Sequence, residues 1–429
     1  MKKLLLVLIL ALSIGGFWFY NSKHTLGISS SYKTPEEKDP YVRFGMEAYD
    51  SIKQNYWNDP KLYDLATIFK LSLEKAGAKT DLATSTREGV ATMLAKAVET
   101  ATTTDAKKNL IVNTLIVVTY NLEPAGRNGI LSTAQETQLR QTVANVNPGK
   151  DLYQDLGLQK GATVEDVELA YVEKSKELKA STTPEAKAEL EQVTYANKVL
   201  TNNDSKALYD QNQIEPTVWT TKLDKTLYMY VSKISPTTFM EFAKAIDNAS
   251  TTPGLNSMIL DFRGNVGGSL DFVQNFMGLF LGGNQYAFDL FHQGEWQAQR
   301  TVQPKFPLLD RFSEVAIITD GMTQSTAEVI SAAFKRLHLG RTVGVHTRGW
   351  GTVENTYPIS TEIDPKTKYS LLLVNSITMR DDNQPIEGRG VDPDIDTTDP
   401  KWKTKLSNFF HSTSLITVLG NQATKQPIK

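Results

Sequence analysis

The chain has 429 residues, of which 40% are hydrophobic and 22% charged, and its formal net charge is −2. This composition excludes a wholly disordered or fibrous protein, and the balanced charge gives no electrostatic reason to expect a nucleic-acid partner. Because the sequence contains no cysteine, disulfides, thiol nucleophiles and thiolate metal sites are excluded.

The first residues predict a membrane anchor. Two lysines precede an apolar run from Leu4 to Tyr20, which is close to the shortest length that spans a bilayer. A removed signal peptide is the alternative, but its cleavage site at Ala11-Leu12-Ser13 would divide the run. The run ends in Phe17-Trp18-Phe19-Tyr20, and such rings favour the membrane interface. We therefore expect residues 1–22 to be an uncleaved single-pass anchor in the inner or cytoplasmic membrane, with the bulk of the chain extracytoplasmic.

A polar linker and a helical domain are predicted next. Residues 23–39 are rich in Ser, Thr, Lys, Pro and Glu, as linkers are. Residues 40–149 show the periodicity of packed helices, with an apolar face formed by Leu62, Leu65, Ile68, Phe69 and Leu73. This stretch has no metal-ligand cluster and no phosphate loop, so it is interpreted as a packed helical domain.

Residues 150–212 resemble a J domain, the small helical co-chaperone module. The resemblance rests on four segments, Asp151–Leu158, Ala162–Tyr171, Val193–Leu200 and Asp204–Asp210. The function of that family depends on a His-Pro-Asp loop, and Lys179–Pro184 at that place has neither the histidine nor the aspartate. The resemblance therefore implies a small helical bundle with a scaffold or spacer role, and it argues against stimulation of a chaperone ATPase.

Residues 213–400 alternate β-rich runs with helical stretches, which is typical of an α/β core. Strands are predicted at Leu227–Val231, Ser257–Phe262 and Val315–Thr319, and helices at Thr237–Ala249, at Leu270–Leu281 and from Ser325 onwards. Residues 401–429 are left as a C-terminal tail. The predicted fold is thus a multidomain α/β protein with a membrane anchor, a helical domain, a small J-like bundle and a C-terminal α/β core.

Two features of this core point to chemistry. Arg263–Gly268 is a glycine-rich turn after a strand, and its backbone N–H groups can form half of an oxyanion hole. Ser325 lies at the first turn of a helix, near the positive end of the helix dipole, where the Thr326 N–H is free to bind an oxyanion. Taken alone, each feature has a plainer interpretation as a turn or an N-cap serine.

Together the two features resemble the tail-specific, or C-terminal processing, serine peptidase family. Leu260–Gly268 is similar to the signature Leu-Asp-Leu-Arg-x-Asn-x-Gly-Gly, and Met322–Val329 contains the position of the nucleophile before a glutamate. Later segments also match, namely Arg341–Gly344, Gly349–Val353, Tyr369–Val374 and Ile386–Ile395. The resemblance covers about residues 223–395, and the PDZ module that usually precedes such a core is replaced by the J-like segment.

The resemblance implies a polypeptide substrate and no metal or organic cofactor. It also implies that Ser325 is the nucleophile and that the N–H groups of Gly267 and Thr326 hold the oxyanion. One departure affects the chemistry directly. The lysine that acts as base in the family's Gly-Lys-Gly-Thr turn is replaced by Trp350, and the glutamine that orients it is replaced by Glu354.

Loss of the base leaves two functions open. An indole has no basic nitrogen, and an unassisted serine is a poor nucleophile. A serine endopeptidase would therefore be impaired or would depend on a substitute base, for which Glu354 with His346 or His292 is the candidate. The alternative is a catalytically inactive pseudoprotease that binds extended polypeptides by strand addition beside Gly267-Gly268. The sequence favours binding because Trp350 cannot accept the proton.

Overall fold

The computed structural model describes residues 32–59, 61–79 and 81–429. The predicted anchor, residues 1–22, lies outside the described residues. Within the described ranges, none of the helices combines the length and the apolar character that a membrane crossing requires. The predicted linker contains a short 3-10 helix, Pro35–Lys38.

The N-terminal domain is mainly helical, as predicted. Its elements are α1 (Pro40–Asn55), α2 (Leu65–Lys75), α3 (Arg87–Thr100), α4 (Thr104–Tyr120), β1 (Gly129–Ser132) and α5 (Thr133–Val143). The side chains of Asp39, Asp64, Thr86 and Thr103 accept hydrogen bonds from backbone N–H groups in the first turns of α1 to α4, which fixes where these helices begin. The strand β1 was not expected, and it pairs with a strand of the C-terminal core.

Residues 151–212 form a helical module, as the sequence indicates. The helices are α6 (Leu152–Asp155), α7 (Val164–Lys179), α8 (Pro184–Thr201) and α9 (Asn203–Asn212). Buried residues of this module, including Tyr153 and Leu200, share a hydrophobic cluster with Trp219 and Tyr228 of the core. The module is therefore packed onto the core.

The core contains a mostly parallel sheet. Its elements are β2 (Val218–Leu223), β3 (Thr226–Val231), α10 (Thr238–Ser250), β4 (Ser257–Asp261), α11 (Asp271–Leu281), β5 (Tyr286–His292), β6 (Glu295–Arg300), β7 (Glu314–Thr319), α12 (Thr326–Arg336), β8 (Arg341–Gly344), β9 (Thr352–Ile359), β10 (Tyr369–Thr378) and β11 (Ile395–Asp396). The strand order is β11-β8-β7-β4-β3-β2, and only the β2–β3 pair is antiparallel.

Both faces of this sheet are buried, as expected for parallel strands covered by helices. Every residue of β3 is buried. Leu227 and Met229 belong to the cluster formed with α10, α11 and α12, whereas Tyr228 and Tyr230 belong to the cluster formed with the helical module. The period of two along a strand produces this alternation.

A second, antiparallel sheet joins the N-terminal domain to the core. Its order is β1-β10-β5-β6, with β9 paired to β10. Leu371 and Leu373 of β10 pack with Phe44 and Phe69 of the N-terminal helices in one hydrophobic cluster. The helical domain and the core therefore share a hydrophobic interior.

The segment predicted as a C-terminal tail is part of the folded core. It forms α13 (Trp402–Phe409) and α14 (Thr413–Gln422), and Leu406 and Leu415 are buried against the main sheet. The Arg263 guanidinium, paired with Asp261, also donates a hydrogen bond of 3.1 Å to the Ala423 carbonyl. The apolar residues of the segment cover one face of the main sheet.

Candidate active site

The candidate site is built from loops that follow parallel strands at their C-terminal ends. Residues 232–237 follow β3, 262–268 follow β4, 320–325 follow β7 and 345–351 follow β8. Parallel strands deliver such loops to one edge of a sheet, which is where α/β proteins carry their sites. The structure therefore brings the signature turn and Ser325 together.

Ser325 is the N-cap of α12 and has a strained backbone. Its φ is 57° and its ψ is −127°, a region that a residue with a side chain rarely adopts. The Ser325 N–H donates a hydrogen bond of 2.8 Å to the Glu328 carboxylate. Gly267 packs directly against this residue, because a Cβ at Gly267 would lie 2.6 Å from the Ser325 Cβ. Glycine is thus required beside the serine.

The two N–H groups predicted to bind the oxyanion differ in whether they already donate a hydrogen bond. The Thr326 N–H has no hydrogen-bond partner among the described residues, while the Thr326 hydroxyl donates to the Gly268 carbonyl at 2.8 Å. The Gly267 N–H donates to Asn265 Oδ1 at 2.8 Å, and Asn265 Nδ2 donates to the Val231 carbonyl at 2.7 Å. The Thr326 N–H can therefore bind an oxyanion directly, whereas the Gly267 N–H must first break its hydrogen bond to Asn265.

Glu328 connects the serine to the loop after β8. Its fully buried carboxylate accepts hydrogen bonds from the Ser325 N–H (2.8 Å), the Thr347 hydroxyl (2.5 Å), the Gly349 N–H (2.7 Å) and the Trp350 N–H (2.8 Å). Burial raises the pKa of the Glu328 carboxyl, although these hydrogen bonds oppose the shift. The carboxylate holds two loops of the site in register.

Trp350 lies in the loop after β8, and its indole is hydrogen-bonded. Trp350 Nε1 donates to Glu354 Oε1 at 3.0 Å, which also accepts from the Thr352 hydroxyl at 2.5 Å. The Arg127 guanidinium carbon lies 3.2 Å from the centroid of the indole ring. Burial raises the pKa of the Glu354 carboxyl, against the opposing effects of these hydrogen bonds and the Arg127 charge.

Neither candidate histidine is paired with Ser325. His346 Nδ1 lies 2.7 Å from Asp392 Oδ1, and His292 Nδ1 lies 2.6 Å from the Asn375 carbonyl oxygen. In the described part of the chain, no amine or imidazole makes a hydrogen bond to the Ser325 hydroxyl. The structure therefore unites Ser325, Gly267 and Thr326 and bonds Trp350 to Glu354, but it gives His346 a different partner.

Several residues of the site were not predicted from the sequence. Arg127 comes from the N-terminal domain and pairs with Glu387 at 3.2 Å, and nothing in its local sequence indicates this role. Glu328 and Asn265 lie within the matched motifs, so the sequence indicated that they are near the site. Their hydrogen bonds to neighbouring loops depend on the tertiary structure and could not be predicted from the motifs.

Comparisons with known proteins agree with this architecture. Residues 225–397 match the family model of peptidase family S41. The structure is similar to the "photosystem II D1 C-terminal processing protease", with a TM-score of 0.51 and 13% identity over 92% of this chain and 100% of that one.

A lipoprotein from Streptococcus agalactiae is similar with a TM-score of 0.45 and 13% identity, over 89% of this chain and 98% of that one. No curated protein matches the chain. The structural likeness concerns the fold, and the family match covers the segment that contains Ser325 and the signature turn. The core of this chain, residues 225–397, is therefore similar to peptidase family S41.

Proposed function

We propose that the chain binds extended polypeptides in its peptidase cleft without hydrolysing them efficiently. One observation carries the proposal, namely the side chain that takes the place of the base. Trp350 offers an N–H donor that is already bonded to Glu354, and Arg127 covers its ring. Arginine stays protonated at neutral pH and cannot serve as a base. Among the described residues, no basic side chain is hydrogen-bonded to the Ser325 hydroxyl.

Backbone groups near Ser325 support the binding of a polypeptide. The Gly267 carbonyl accepts the Ile234 N–H at 3.0 Å, and the Gly268 carbonyl accepts the Thr326 hydroxyl. No partner for the N–H groups of Gly268 and Thr326 occurs in residues 81–429 or in the earlier described ranges. These two donors can receive carbonyl oxygens of an added strand.

A serine endopeptidase with a substitute base is the second candidate, and the strained Ser325 backbone favours it. Strain of this kind costs of the order of 1–3 kcal/mol and is concentrated at functional residues. In this candidate, Ser325 attacks, Thr326 and Gly267 stabilise the oxyanion, and His346 acts as base through Nε2 while Asp392 holds Nδ1. The weakness of this alternative is that no hydrogen bond joins His346 to Ser325 in the part of the chain that the structure describes.

A fluorophosphonate probe separates the two functions. We expect no labelling of the wild-type protein, together with peptide binding that survives Ser325→Ala. Labelling of the wild type but not of Ser325→Ala would establish an activated serine and overturn the binding proposal. Peptide binding should be measured by anisotropy with the full chain.

Two further parts of the proposal concern location and the J-like module. Residues 1–22 would hold the core on the extracytoplasmic side of the membrane, as their sequence indicates. The module at 151–212 would act as a scaffold, because it packs onto the core and its loop lacks the histidine and aspartate of the J-domain motif. Fractionation with external protease digestion tests the first part, and a chaperone ATPase assay tests the second.

A further inference from the structure

A cavity of about 490 Å³ lies at the junction of the N-terminal domain and the second sheet. Its apolar lining includes Trp57, Pro124, Phe291, Trp296, Ile377 and Met379. This volume is within the range of ligand sites and can hold a large side chain with part of its backbone. Two polar lining residues, Glu387 and Arg389, lie in the segment Ile386–Ile395 that resembles the peptidase family, whereas the apolar lining residues lie outside the matched segments.

The lining presents aromatic rings at more than one angle. The ring centroids of Trp57 and Phe291 are 6.3 Å apart and tilted by 59°, and those of Phe291 and Trp296 are 6.1 Å apart at 75°. Such tilted and edge-on geometries are those that aromatic pairs prefer. Trp296 is 52% exposed, although it is large and apolar. These rings offer both faces and edges to an inserted apolar group.

The polar part of the lining indicates a peptide rather than a lipid chain. Glu123 and Arg389 both line the cavity, and neither side chain makes an ion pair within the described ranges. A carboxylate accepts and a guanidinium donates hydrogen bonds, so the two together match the N–H and C=O groups of a peptide unit. A hydrocarbon tail has neither group.

Glu387 connects the cavity to the loop that carries Trp350. It lines the cavity, accepts the Gly351 N–H at 2.8 Å and pairs with Arg127 at 3.2 Å. The other side of this loop is bound to Glu328, which holds the Ser325 N–H. The loop after β8 is therefore connected to the cavity through Glu387 and to Ser325 through Glu328.

We propose that this cavity binds a large apolar side chain, aromatic or long aliphatic, of the polypeptide held at Ser325. The inference rests on the proposed function and states which side chain the polypeptide-binding site prefers. Burial of the ring against Trp296 and its neighbours provides the preference, and Arg389 and Glu123 bind the flanking backbone.

The test uses the full chain carrying Ser325→Ala, so that turnover does not interfere. The probes are two capped Gly/Ser peptides that differ only at the centre, one with Phe and one with Ala. Binding is followed by protein tryptophan emission and by calorimetry. We expect the Phe peptide to bind about tenfold more tightly, in keeping with the free energy of burying an apolar side chain.

Trp296→Ala should reduce this preference to less than about threefold, and Tyr120→Ala, which removes an aromatic residue that is 67% exposed on α4, should leave it unchanged. Equal binding of both peptides, or a preference that survives Trp296→Ala, would overturn the inference while leaving the proposed function intact. Failure of both peptides to bind at all would instead contradict the proposed function.

Discussion

The guanidinium of Arg127 stacks on the indole of Trp350, with 3.2 Å between the guanidinium carbon and the ring centroid. The two residues belong to different domains, since Arg127 lies just before β1 and Trp350 just before β9. A cation over an aromatic face is attracted by the ring quadrupole. The wall of the site is therefore built jointly by the helical domain and the α/β core.

Replacement of Arg127 should destabilise the protein. Arg127→Ala removes the cation from the indole and leaves the partly buried Glu387 without its ion-pair partner, so we expect the free energy of unfolding to fall by about 1–2 kcal/mol. Urea denaturation provides the measurement. The control is Arg140→Ala, which removes a largely exposed arginine paired with Glu136 and should change stability by less than about 1 kcal/mol. An equal loss in both variants would show that the stacking contributes nothing.

Restoration of the family's base should create activity. In Trp350→Lys alone, the neighbouring Glu354 carboxylate favours the protonated amine, which cannot act as a base. Trp350→Lys combined with Glu354→Gln removes that charge and recreates the lysine and glutamine of the related family. We expect the double variant to hydrolyse an unstructured protein at least about tenfold faster than the single variant. Equal rates would mean that Glu354 does not control the amine.

Glu328 is predicted to be essential for the geometry around Ser325. All its described hydrogen-bond partners are donors, so in Glu328→Gln the amide NH₂ would face N–H or O–H groups. We expect a loss of about 1–3 kcal/mol in the free energy of unfolding. Glu173→Gln, at an exposed position of α7, is the matched control and should be neutral. Thermal and urea denaturation of both variants give the comparison.

The strained backbone at Ser325 predicts that Ser325→Gly is more stable than Ser325→Ala. Glycine adopts positive φ readily, so Ser325→Gly relieves the conformation with φ of 57°, whereas Ser325→Ala keeps it. Both variants lose the hydroxyl. We expect the glycine variant to be more stable than the alanine variant by about 1–3 kcal/mol. Equal stability would argue that the backbone at Ser325 is unstrained.

Arg87 predicts a pH dependence of stability in the N-terminal domain. It bonds Glu37 at 2.7 Å and Asp50 at 2.8 Å. Burial alone would raise the pKa of Glu37, but Arg87, together with hydrogen bonds from the Lys33 backbone and Thr34, outweighs burial, and the pKa lies below the ordinary 4.5. The contribution of Glu37 is thus fully present above about pH 4.5 and is lost as the pH falls through the lower folded value.

Arg87→Met should therefore cost about 3 kcal/mol at pH 7, and the difference from wild type should shrink in acid. Urea denaturation at several pH values checks this result. Lys70→Met, which removes the half-exposed partner of Glu74, should show a small and nearly constant effect. A pH-independent loss in Arg87→Met would contradict the role of Glu37.

Local patterns sufficed to predict the main sheet and the start of the helix that follows Ser325. The runs Leu227–Val231 and Val315–Thr319 lie in β3 and β7, and α12 begins directly after Ser325. These elements have strong periodicity and clear boundaries, so neighbours in sequence determine them. In contrast, Leu62 was assigned to the apolar face of a helix but is 75% exposed, because Asp64 caps α2 and the helix starts only at Leu65.

Contacts between distant segments could not be predicted from local patterns. β1 is four residues long and becomes a strand only because β10 offers hydrogen-bond partners. Arg127 and Trp350 likewise meet only after the domains have packed. The sequence signature located the serine, and the tertiary structure determined what surrounds it.

The pairing of β1 with β10 also constrains the order of events during synthesis. Asn128, next to β1, accepts a hydrogen bond from the Val374 N–H at a separation of 246 positions. Contacts of such high order close late and slow folding. On the ribosome, β1 has no strand partner until β10 emerges, so the nascent chain exposes an unpaired, aggregation-prone strand over a long interval.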